Sequence, residues 1–149
     1  MLLRWLLASL HLLVLPLGFS AVWLRGRALF RTRSAADLPS VFLADNLWGA
    51  AALLWIVTGL ARLLGGYEKA TSYYMHDSMF KVKMGLFLAV FLLEIWPMTT
   101  LIRWRLALRR GQAPSLALAG RFGRISQVEG GLLVLIVVAA TAVARGFFY

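Results

Sequence analysis

His11 lies in an unbroken apolar stretch, and its short side chain could not reach water from within such a run. A neutral imidazole is a good ligand for iron and other transition metals. Arg4, Gly18 and Arg25 recur at seven-residue spacing from it, so on a helix all four share one face. Gly18 would leave room one layer below the ring, for a flat ligand or for another helix. Arg62, Lys83 and Arg145 fall at the ends of later apolar runs, at the level of His11 in an antiparallel bundle. Their cations would suit the propionates of a haem held by His11, because charge-assisted hydrogen bonds are strong where water is excluded.

A second group is acidic. Asp45, Glu94 and Glu129 each stand in or at the start of an apolar run. Ionisable groups in lipid are costly, so they face the interior of a bundle and pair there. Arg25, Arg27, Arg121 and Arg124 are the candidate partners. Glu94 is eleven residues past Lys83, about three helical turns along the same face, and is the candidate for carrying a proton. A third group, Met75, His76 and Met79, combines soft and borderline ligands that suit copper. Tyr73 and Tyr74 beside it fit an aromatic belt at a membrane surface.

The elements that must position these residues follow from composition. The chain has 149 residues, 61% of them hydrophobic and 15% charged, with a mean hydropathy of +0.78. A soluble domain of this size could not hide so much apolar surface. About 20 apolar residues cross the hydrocarbon as a helix. Four stretches qualify, at about 2–24, 41–64, 79–102 and 125–144. The expected fold is therefore all-α, a single antiparallel four-helix membrane bundle of one domain. Met1 to Leu24 resembles a secretory signal, but the apolar run continues past Ser20 and Ala21 and reads as an uncleaved span. Pro16 and Pro97 fall inside spans one and three.

Loops one and three carry ten of the sixteen basic residues, counting Arg25 among them. The positive-inside rule then places those loops in the cytoplasm and both termini outside, in a bacterial inner membrane. The net charge of +10 is spread between apolar runs, which argues against nucleic acid. With no cysteine there is no disulfide, thiolate metal site or cysteine nucleophile. No phosphate-binding glycine loop, HExxH or serine elbow is present. Small residues at Gly49 to Ala52, and at Gly130, Gly131, Ala139 and Ala140, mark close packing faces that could also serve a homo-oligomer.

Several segments carry a resemblance: Leu10-His11-Leu12, Asp45-Asn46-Leu47-Trp48-Gly49, Thr58-Gly59-Leu60-Ala61-Arg62, Tyr73-Tyr74 before Phe80-x-x-Lys83, and Ala142-Val143-Ala144-Arg145-Gly146. On these the chain resembles a family of small bacterial membrane proteins of unknown function. It is more distantly similar to the HemJ-type protoporphyrinogen oxidases and to the CopD copper-resistance family. The HemJ likeness implies haem b at His11, with Lys83 in the activity and Glu129 matching a carboxylate that opens the last span. The Pro-Arg signature of that family is absent, since Trp23-Leu24-Arg25-Gly26-Arg27 stands there instead.

The expected function is thus a membrane oxidoreductase binding haem b or a porphyrin. His11 would ligate iron, Arg62, Lys83 and Arg145 would hold propionates, and Lys83 and Glu94 would be catalytic. A porphyrin or a quinone-type molecule would be its redox partner. The alternatives are a copper-handling transporter or accessory using Met75, His76 and Met79, and an assembly protein with no cofactor.

Overall fold

The computed structural model describes residues 2–65 and 76–146. They form four long helices: α1 (Leu2–Arg31), α2 (Leu38–Leu64), α3 (Ser78–Arg109) and α4 (Ala119–Arg145). No strand occurs among the described residues. All four helices are long and apolar enough to cross a bilayer. The protein is an all-α integral membrane bundle.

Each helix outruns the span expected from the sequence, and α1 continues seven residues past Leu24. At 1.5 Å per residue its 30 residues measure about 45 Å, against a hydrocarbon thickness of about 30 Å. Hydropathy marks only the part that lipid can solvate. The helix itself ends where its backbone groups find other partners. After α1, Asp37 accepts hydrogen bonds from the backbone N–H groups of Arg33 and Ser34, both at 2.9 Å. That stops one helix, and a short 3-10 turn (Ala35–Asp37) starts the next, with Pro39 in the first turn of α2. Gly111 and Gly146, both at positive φ, close α3 and α4. Glycine adopts that left-handed conformation without steric cost.

Backbone packing runs in a chain: α2 against α1, α1 against α4, and α4 against α3. Long side chains close the remaining edge between α2 and α3. The buried face of α1 reads Val14, Gly18, Ala21, Val22, Arg25, Gly26 and Leu29, a three-and-four spacing with small residues prominent. Large apolar side chains such as Leu13, Leu17 and Leu24 point outward, where lipid is as good a solvent as the core.

Two apolar layers result. One, towards the short connectors, joins Leu29, Leu38, Val41, Leu101, Trp104, Ala119 and Phe122. The other joins Ala21, Val22, Trp48, Val90 and Leu133. A polar group centred on Arg25 lies between them along the helices.

Candidate functional site

Arg25 sits six residues inside the end of α1 and is fully buried, not in the first loop as its arginine-rich flank suggested. Without it the basic asymmetry is nine to six, so the connector end of the bundle is still arginine-rich. The close α1–α4 crossing explains how an arginine comes to lie here. A Cβ on Gly26 would stand 3.2 Å from the Gly123 carbonyl and 3.3 Å from the Ser126 Cβ. On α4, the Phe30 ring occupies the space of a Gly123 side chain, at 3.1 Å. Two glycines bring the backbones together, and the neighbouring Arg25 is carried between α4 and the remaining helices.

Its guanidinium uses all five N–H groups. Nε–H donates to Ser126 Oγ at 3.0 Å. One terminal nitrogen donates to Asp45 Oδ1 at 3.0 Å and Glu94 Oε1 at 2.7 Å. The other donates to Glu94 Oε2 and Glu129 Oε2, each at 2.7 Å. Glu94 is therefore gripped by a bidentate fork, a geometry lysine cannot supply. One α1 side chain thus ties α2, α3 and α4 together.

The second cation is Arg105 of α3. It donates to Asp45 Oδ2 and Asn46 Oδ1, each at 2.7 Å, and to the Phe42 carbonyl at 3.3 Å. Its guanidinium also lies over the Phe42 ring, 4.7 Å from the centroid. This one side chain supplies much of what joins α3 to α2. Arg25 and Glu129 are shut off from the surface, whereas the side chains of Asp45 and Glu94 are 16% and 17% exposed. Glu129 Oε1 is buried without a hydrogen-bond partner.

Of the four arginines considered as partners for the acids, Arg25 makes the contacts, and Arg27, Arg121 and Arg124 are exposed. Asp45 and Glu129, which apolar runs put at span starts, lie seven and ten residues inside their helices. Sequence reasoning missed Ser126, Asn46 and the pairing of Arg105 with Asp45. The available signal was arithmetic: three acids inside spans require cations at the same depth.

The far end is organised around His11, which is half-buried. Its Nδ1 is 2.7 Å from Thr58 Oγ1. Thr58 Oγ1 also lies 2.6 Å from the Leu54 carbonyl, so the hydroxyl joins the imidazole to the backbone of α2. Trp55 Nε1–H donates to the His11 carbonyl at 3.1 Å. The space left by Gly18 is filled by Trp55 and Ala51, since a Cβ there would stand 3.2 Å and 3.3 Å from them. Another helix, not a flat ligand, occupies that gap. Gly59 is in ordinary contact, its Cβ position 3.6 Å from His11 Cε1, so α1 and α2 touch at this level and no macrocycle fits between them here.

Arg62 and Lys83 are half-buried and Arg145 is exposed at the end of α4. The Lys83 ammonium stands 5.9 Å from the Phe80 ring centroid. His76 is exposed and Met79 half-buried, while Met75, Tyr73 and Tyr74 lie outside the described residues. Among the described residues, no group of three histidine or carboxylate side chains is arranged to hold a metal ion. The three acids that converge do so on a guanidinium.

The chain belongs to the DUF2214 family of predicted membrane proteins, whose family model matches residues 3–147. No curated protein and no solved structure matches it.

Proposed function

We propose that this member of the DUF2214 family is a proton-responsive membrane protein whose working group is the Arg25 cluster. The observation that carries the reading is a mismatch of charge. Three carboxylates, Asp45, Glu94 and Glu129, meet two guanidiniums, Arg25 and Arg105. Adding one proton makes the group neutral, which favours its burial in a medium of low dielectric constant. Glu129 Oε1 is the oxygen placed to carry that proton, since it alone among the oxygens facing Arg25 has no hydrogen-bond partner. The partly exposed Asp45 and Glu94 offer the path to water along the α2–α3 edge. When the proton leaves, Arg25 stays cationic and the cluster gains one negative charge, so the carboxylates of α2, α3 and α4 repel one another more strongly around it.

Infrared difference spectroscopy of the reconstituted protein after a pH jump tests this. The expected result is a titrating protonated-carboxyl band that disappears in Glu129→Gln and persists, shifted, in Glu94→Gln. An identical band in wild type and Glu129→Gln, or no band in wild type, would overturn the assignment.

A second reading keeps the haem or porphyrin role at His11. Its support is the position of His11 inside the apolar run of α1, with Nδ1 fixed against Thr58, since a neutral imidazole held in place suits iron. With the α1–α2 face closed, a macrocycle would have to lie towards α3 and α4, near Lys83 and Arg145. A Soret band in the haem-supplied purified protein, lost in His11→Ala, is the expected sign. Protein that stays colourless under haem supply sinks this reading. Copper at Met75, His76 and Met79, and a cofactor-free assembly role, are the further alternatives. In each reading the positive-inside rule assigns the arginine-rich end to the cytoplasm.

A further inference from the structure

A surface groove of about 300 Å³ opens at the arginine-rich end, lined by Phe42 of α2 and by Arg105, Leu108 and Arg109 of α3. It lies on the edge of the bundle where α2 and α3 are joined by side chains and not by backbone packing. Phe42 and Leu108 give it an apolar floor. Arg109, the last residue of α3 and exposed, stands at its rim, one helical turn beyond Arg105. The surface inside the groove is apolar, and the exposed Arg109 at its rim brings a cation beside it.

The charge around it is unbalanced. Asp45, Glu94 and Glu129 are committed to Arg25 and Arg105. The remaining acid of this end, Asp37, accepts from two backbone N–H groups. Arg109, with Arg103 and Arg110 close by in sequence, has no carboxylate within salt-bridge distance among the described residues. An arginine at a membrane interface with no internal counter-ion takes one from outside, and anionic lipid phosphate is the abundant acceptor at that depth.

We propose that this groove binds an anionic phospholipid, its phosphate on Arg109 and one acyl chain along Phe42 and Leu108. A lipid there would seal the α2–α3 edge beside the Arg105–Asp45 pair. The charge complementarity selects this occupant over a zwitterionic lipid, whose choline would meet the same arginines.

Native mass spectrometry of the detergent-solubilised full chain, titrated with phosphatidylglycerol or phosphatidylcholine, tests it. The expected result is preferential retention of phosphatidylglycerol, reduced about fivefold in Arg109→Gln. Arg33→Gln, in the first connector, should retain it as wild type does. Equal retention of both lipids overturns the proposal. So does an equal loss in both variants, which would mean diffuse attraction only. Displacement of the lipid by millimolar inorganic phosphate would assign the arginine to the free ion. A lipid-free dimer that dissociates in Arg109→Gln would assign the groove to a second copy. Either outcome also overturns it. None of these results depends on whether Glu129 carries a proton.

Discussion

Arg25→Leu lowers the thermal unfolding midpoint of the detergent-solubilised protein by an expected amount on the order of 10 °C. Removing one member of a buried ion pair costs about 3–5 kcal/mol, because the partner is left charged and unpaired. In a chain of this size each kcal/mol moves the midpoint by about 2–4 °C. Here the loss is compounded, since Glu94 and Glu129 have no other cation within salt-bridge distance among the described residues. Asp45 keeps Arg105 and suffers least. Arg25→Lys should recover only a small part, since an ammonium has three N–H groups for five acceptor positions. The decisive control is Arg25→Leu combined with Glu94→Gln and Glu129→Gln. Neutralising the orphaned acids should restore at least half of the lost midpoint. If the combined variant melts no higher than Arg25→Leu, buried charge is not what the arginine answers.

Gly26→Leu should have a comparable effect by a different route. Even the Cβ of an alanine at position 26 would be 3.2 Å from the Gly123 carbonyl, a backbone atom that cannot rotate away. A leucine must push α1 and α4 apart, and with them the Ser126 and Glu129 partners of Arg25. The expected outcome is a loss of about 2–4 kcal/mol, in the range of severe packing changes. The infrared carboxyl band should change as well. Gly49→Ala provides the comparison: nothing stands within 4 Å of its Cβ position, so the melt should be unchanged or slightly raised. Should Gly26→Leu melt like Gly49→Ala, the close crossing would not be the seat of the cluster.

Some of this was open to the sequence. The number of spans and the all-α class followed from apolar length alone, because lipid imposes a fixed thickness and demands internal backbone pairing. Which face of each helix turns inward did not follow. In water the core side is the apolar side, but here Leu13 and Leu17 face lipid while Arg25, Ser126 and Glu129 face the core. Hydrophobicity therefore carries no directional signal, and small residues carry a weak one. Arg25 was legible as a partner for the acids, but its depth was hidden: Arg27, Arg31 and Arg33 follow it closely, so it reads as the first residue of a loop. Gly26 was the clue that α1 continues at close quarters with another helix. His11 gave a clear depth, but its partners Thr58 and Trp55 depend on a helix rotation that the spacing of apolar residues leaves free.

The order in which a ribosome delivers the four helices has a consequence for biogenesis. Arg25 enters the membrane with the first helix, 20 residues ahead of Asp45, 69 ahead of Glu94 and 104 ahead of Glu129. Until α4 has been made, its cation is short of partners inside an apolar helix, where an ionisable side chain is costly. Six residues from the helix end, it can wait by reaching its guanidinium to the aqueous boundary. The last hairpin then draws it inward. A nascent chain that stalls before α4 leaves two of the five guanidinium N–H groups without the Ser126 and Glu129 oxygens, so the cluster closes only when the last helix arrives.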